Sequence, residues 1–223
     1  MGKSDLLNLN IMKNKLKYFI IIASIYSFTG EAQTIYPLEN LFHSKENDIY
    51  YKDINFRLSK FIGTWVYNET VEGTQHYFRV SFYKKEKKNF GEEIKQTIYL
   101  DELVAHFEYK RNGITIYNTY PPFGLVFDEV LNSYNANGIR GSSLSKNNLN
   151  AITLMYDEPT LSCRRNKKAS LDLIYIPPIQ GQPAKLQWQV NRITYSILNC
   201  QDGSLRDTSD YQIPLNMVLT KQQ

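Results

Sequence analysis

Residues 50–67 read YYKDINFRLSKFIGTWVY, and the fold turns on how this stretch is understood. From Phe61 onward, Phe61, Gly63, Trp65 and Tyr67 alternate with Ile62, Thr64 and Val66, a period of two that belongs to a strand. One face therefore carries large rings, with a gap at Gly63 where another part of the chain can come close. Just upstream, Asp53 is an acidic N-cap candidate followed by Phe56 and Leu58, which predicts a single short helical turn leading into the strand.

The same alternation continues downstream. Glu72-Gly73 marks a turn, and Thr74 to Lys84 then places His76, Phe78, Val80 and Phe82 opposite Gln75, Tyr77, Arg79, Ser81 and Tyr83. Lys84, Lys85, Lys87 and Lys88 read as a solvated hairpin tip, and 85–91 as a charged loop. Between Gln96 and Lys110, Leu103, Ala105, Phe107 and Tyr109 alternate with Val104, His106, Glu108 and Lys110. Asn112-Gly113 is the strongest hairpin signal in the chain, and Ile114 to Asn118 is its return strand. Residues 123–138 are irregular, with a short helix expected at 127–134. Further strands are predicted at 139–144, 151–156, 170–176, 185–191 and 215–220, giving about nine in all. Gln33 to Asp48, with Tyr36, Leu38, Leu41 and Phe42, reads as an arm packed on the sheet.

Composition agrees with a β-rich domain. The chain has 223 residues, of which 13% are aromatic, including 17 Tyr and 11 Phe, and such residues suit pleated surfaces. No repeat or linker divides it, so residues 33–223 are expected to form one domain.

The N-terminal region has a different character. From Met12, Lys13, Lys15 and Lys17 precede an apolar run from Tyr18 to Phe28, then Thr29, Gly30, Glu31 and Ala32. This is the pattern of a secretory signal cleaved before Gln33, with residues 1–11 an upstream extension, so 1–32 is set apart from the domain. The apolar run is about half the ~20 residues a membrane span requires, so no span is expected after cleavage. Loss of its four lysines and two acids lowers the net charge from +4 to +2. No concentrated basic stripe remains for nucleic acid. Localisation in the periplasm or outside the cell follows. There Cys163 and Cys200 are expected to form a disulfide closing a loop of about 37 residues, contributing roughly 3 to 4 kcal/mol, with two separate buried thiols as the alternative.

An antiparallel set of this size hides its edges by closing on itself or by stacking two sheets, and composition does not choose. The Phe61-x-Gly63-x-Trp65 strand preceded by a helical turn resembles the opening of lipocalins and fatty-acid-binding proteins. That resemblance implies an all-β, antiparallel, up-and-down, lipocalin-like barrel of about eight or nine strands. It also implies that Trp65 lies across the closed end with a basic residue on its face, here Lys221, with Arg192 as second choice. More widely, AQTIYPL at the signal junction, YYKDINFRLSKFIGTW, the Ile139-Arg140-Gly141 triplet, the late cysteines and PLNMVLTKQ resemble an uncharacterised family of exported bacterial proteins without assigned activity.

Two functional expectations follow. In the first, the barrel holds a small apolar ligand against Phe78, Phe82, Phe107 and Trp188. In the second, Phe78, Val80, Phe82, Phe107, Ile116, Leu154, Leu173 and Trp188 fill the interior, and the outer face or the loop at 120–138 docks an envelope protein. His76, His106 and Glu108 form a metal site only if the register makes the two histidines neighbours, and no metal-binding spacing is present. Asp101 and Glu102 adjoin in sequence but face opposite ways on a strand. Gly141-Ser142-Ser143 lacks a nucleophile pattern. Neither a catalytic group nor a cofactor is expected. Tyr117, Tyr120, Pro121, Pro122 and Phe123 form an aromatic lip or a packed strand end.

Overall fold

A computed structural model describes residues 33–41, 48–89, 97–120, 138–159, 167–192 and 210–222. From Ile35 onward the chain forms one compact unit. Its strands are β1 (Thr34–Pro37), β2 (Ile49–Lys52), β3 (Gly63–Val71), β4 (Thr74–Asn89), β5 (Ile98–Arg111), β6 (Ile114–Asn118), β7 (Ile139–Leu144), β8 (Ala151–Asp157), β9 (Lys168–Ile176), β10 (Lys185–Arg192) and β11 (Asn216–Lys221). Eight of them close into an antiparallel barrel in the order β5-β4-β3-β11-β10-β9-β8-β7, with β7 returning to β5. The expected closed barrel of eight or nine strands is therefore present with eight, and β1, β2 and β6 bring the strands among the described residues to eleven.

The extra strands crowd one edge of β5. Residues 98–100 pair in parallel with β2, 103–105 antiparallel with β7, and 108–111 antiparallel with β6. β1 lies outside β2. The N-terminal arm packs as expected where it is described, with Leu38 buried and the Tyr36 and Tyr51 rings 6.0 Å apart.

Local chemistry sets the turns. Glu72 and Gly73 have φ of 49° and 76°, and Asn112 and Gly113 have 49° and 77°. Two successive left-handed residues match the twist of a tight hairpin. The expected helix before β3 is reduced to a 3-10 turn at Ser59–Phe61. Asp53 nevertheless caps this corner, accepting hydrogen bonds from the N–H groups of Arg57 at 2.7 Å and Leu58 at 3.0 Å.

The lysine-rich stretch departs from its expected place. β4 runs on to Asn89, so Lys84, Lys85, Lys87 and Lys88 sit in the wall, not at a hairpin tip. A register shift lies between Lys85 and Lys88, the mark of a β-bulge. Lys88 pairs with Glu102 at 3.0 Å, and Lys84 reaches Glu86 and Asp101. These carboxylates offset the charge that made the segment look like a free loop. The helix expected at 127–134 lies outside the described residues, as do Cys163 and Cys200.

Candidate functional site

The inward residues of the strands meet in one core. Phe78, Phe82, Phe107 and Trp188, the residues expected to touch a ligand, are each 0% exposed. The Phe78 ring centroid is 4.9 Å from Trp188 and 5.4 Å from Phe107, and Phe107 is 6.0 Å from Tyr156. Phe78 thus packs ring against ring with Phe107 and with Trp188, and Phe82 is buried in the same core. Val80, Leu154 and Leu173 join them, while Ile116 is only partly buried.

Trp65 is fully buried where β3 meets β11. Its indole N–H donates to the Phe61 carbonyl at 2.8 Å, and Tyr175 packs edge-on at 6.2 Å. Lys221 Nζ stands 5.2 Å from the indole centroid, within reach of a cation–π attraction. Gly63 has φ of 116°, and a Cβ there would lie 3.2 Å from Lys221 Cε. The glycine thus clears the lysine's path to the ring. Gly141, in the Ile139-Arg140-Gly141 triplet, serves a different close approach: a Cβ there would meet Leu154 Cα at 3.2 Å.

A polar network gives this end of β5 its order, and sequence reading did not foresee it. Asp101 is 0% exposed and accepts hydrogen bonds from Tyr50 Oη at 2.5 Å, Asp53 N at 3.0 Å and Lys87 N at 3.1 Å. Burial first, then the Asp101 hydrogen bond, raises the Tyr50 phenol pKa far above its usual value. Lys87 is left-handed, with φ of 49°, at the bulge facing Asp101. Its unusual conformation is met by that carboxylate. Arg57 extends the network to the carbonyls of Leu149 and Ser145, both at 3.2 Å. Sealed from solvent, Asp101 ties β2, the corner after it and the β4 bulge to β5.

The two histidines are not neighbours. His76 pairs with Arg111, whereas His106 pairs with Ser81, because the β4–β5 hairpin is centred near residue 94 and not near Gly91. Burial, followed by Arg111, lowers the pKa of His76. Burial also lowers that of His106, partly opposed by its hydrogen bond to the Thr119 carbonyl at 2.7 Å. Tyr120 packs rather than projecting: its hydroxyl is 2.9 Å from Ser81 Oγ, and its ring faces Arg79 at 4.7 Å. Residues 121–123 of the expected aromatic lip lie outside the described residues.

The wall is least complete between β3 and β11. These strands pair only at Val66 with Thr220 and Trp65 with Lys221, although β3 continues to Val71 and β11 begins at Asn216. A notch of about 260 Å³ opens there, lined by Tyr67, Glu69, Gln187, Trp188, Asn216, Met217 and Val218. Burial, then the nearby Glu69 carboxylate with its hydrogen bond, raises the Tyr67 pKa. The Trp188 indole N–H is buried without a hydrogen-bond partner. No pattern in the sequence could have revealed this opening, which depends on where two distant strands stop pairing.

Among the described residues no helix is long and apolar enough to cross a membrane. The model of a family of unknown function, DUF6705, matches residues 12–222. No curated protein and no solved structure matches the chain.

Proposed function

The chain belongs to this family of unknown function, and from that premise we propose that it is an exported, non-catalytic interaction module whose surface binds another protein of the cell envelope or the extracellular space. The observation that carries this reading is the filled interior: Phe78 packs against Phe107 and Trp188, and Phe82 is fully buried in the same core. The role of the molecule then falls to its outside. Support for export comes from the lysine-flanked apolar run that starts at Met12, the residue at which the family match also begins. Trp65 and Lys221 close the barrel in this account and contact no ligand.

Native mass spectrometry and a fatty-acid titration test the proposal together. Purified from the exported fraction, the protein is expected to carry only the mass of its polypeptide, and the fluorescence of its tryptophans is expected to stay unchanged as palmitate is added. Cross-linking in the cells that make it is expected to yield a discrete heavier adduct. A bound lipid at one per chain, or saturable quenching by palmitate, would overturn the reading in favour of a small apolar ligand. The lack of any adduct would overturn it as well.

A further inference from the structure

We propose that the open seam between β3 and β11 is a strand-docking site for an extended peptide segment of a protein partner, one that presents a lysine or arginine to Glu69. This deepens the interaction-module reading and rests on it.

The direction of the free backbone groups follows from the ends of the seam. Gln222 N donates to Thr64 O at 2.9 Å, whereas Lys221 N donates to Ala184 O at 2.9 Å on the other side. In a strand the N–H and C=O of one residue point to the same side, and the side alternates along the chain. Asn68 and Thr70 of β3 therefore aim their backbone groups at the seam, as do Val218 and Asn216 of β11. No described strand pairs with them there. All four residues are exposed. A row of unpaired donors and acceptors at strand spacing is satisfied by another extended backbone and not by a compact small molecule.

Side chains supply the rest of the specificity. Alternate residues of a guest strand would face the notch, whose lining includes Tyr67, Trp188 and Met217. Among the described residues Glu69 is the only charged one lining the notch, so a cation on the guest is complementary. The same carboxylate argues against a second copy as the guest. Two β3 edges paired antiparallel across residue 69 bring Glu69 against its own counterpart, and like charges placed opposite one another are unfavourable.

A random heptapeptide display library, panned on the full chain, tests the assignment. Selected peptides are expected to be rich in β-branched residues and to carry a lysine or arginine. Thr70→Pro removes a seam-facing N–H without touching the β4 ladder, so it should weaken the selected peptide about tenfold, while Thr70→Ala should change binding less than about twofold. Glu69→Gln should weaken binding several-fold, and Asn216→Pro provides the same backbone test from β11 should Thr70→Pro fail to fold. The Asn68 and Thr70 amides should exchange quickly in the free protein and slowly with peptide bound. If selected peptides bind both proline variants as tightly as the parent, docking occurs elsewhere: the seam assignment falls and the interaction-module reading stands. Amides already protected in the free chain, or a dimer in sedimentation that Thr70→Pro dissolves, would also overturn the proposal, and so would a library that returns no binder.

Discussion

Lys221 reaches the Trp65 ring across the bare backbone of Gly63, so three residues from opposite ends of the barrel sequence form one contact. Lys221→Met is expected to lower stability by about 0.5–2 kcal/mol, the usual range for a cation over an indole. Gly63→Ala should cost about 1–3 kcal/mol, since it strains a left-handed position and also pushes the lysine aside. Because both changes disturb one contact, urea denaturation of the double variant should show less than the sum of the two losses. The histidines make a separate prediction. Burial is the leading cause that holds both His76 and His106 below the ordinary value of 6.5, so the unfolded chain binds more protons than the folded one just below that pH. Their contribution to stability is complete above pH 6.5 and is lost as the pH falls through their depressed folded pKa values. Melting temperature should therefore fall between pH 7.5 and pH 5, and His106→Gln should flatten that slope. Asp157, raised by burial above 3.8, contributes with the opposite sign in the more acidic range just above that value.

At the scale of elements, β5 organises the molecule by giving one edge to β2, β7 and β6 in turn. Asp101 is the residue that makes the β2 end possible, receiving donors from β2, the corner after it and the β4 bulge. Asp101→Ala leaves those donors buried without an acceptor and should destabilise by roughly 3 kcal/mol or more in urea unfolding, with Asp101→Asn milder. Much of β4 and β5 was legible in the sequence, because Phe78, Val80 and Phe82 and then Leu103, Ala105, Phe107 and Tyr109 keep strict period two. The bulge was not legible. Four lysines in five positions look like a solvated turn until Asp101, Glu102 and Glu86 are brought alongside, and that placement depends on partners from separate strands. The short helix before β3 is not formed for a local reason: Asp53 does accept two backbone N–H groups, but Phe56 takes a left-handed φ of 53° within the span, and only a 3-10 turn at Ser59–Phe61 follows.

At the scale of the whole molecule, closure joins the first long strand to the last. β11 also sends Met217 and Leu219 into the core, 3% and 0% exposed. A chain ending at residue 209 would lose both and leave β3 and β10 with open edges. It is expected to show no cooperative thermal transition by near-ultraviolet circular dichroism. The closed barrel could be expected from Phe61-x-Gly63-x-Trp65 by resemblance, but not from alternation alone, since a two-layer sandwich has the same period. Whether the interior is hollow was equally hidden in the sequence, because Phe78 and Trp188 would point inward in either case, and only their edge-to-face contact at 4.9 Å tells packed rings from two opposite walls.

The joint between β3 and β11 consists of two residue pairs, the Gln222-to-Thr64 backbone bond and one lysine over one ring, while the neighbouring β3–β4 ladder is continuous from Gly63 to Val71. Few rungs mean a low local opening free energy. Under mild denaturant this barrel should breathe like a sleeve that unbuttons along a single line, the hairpins staying intact as the two margins part.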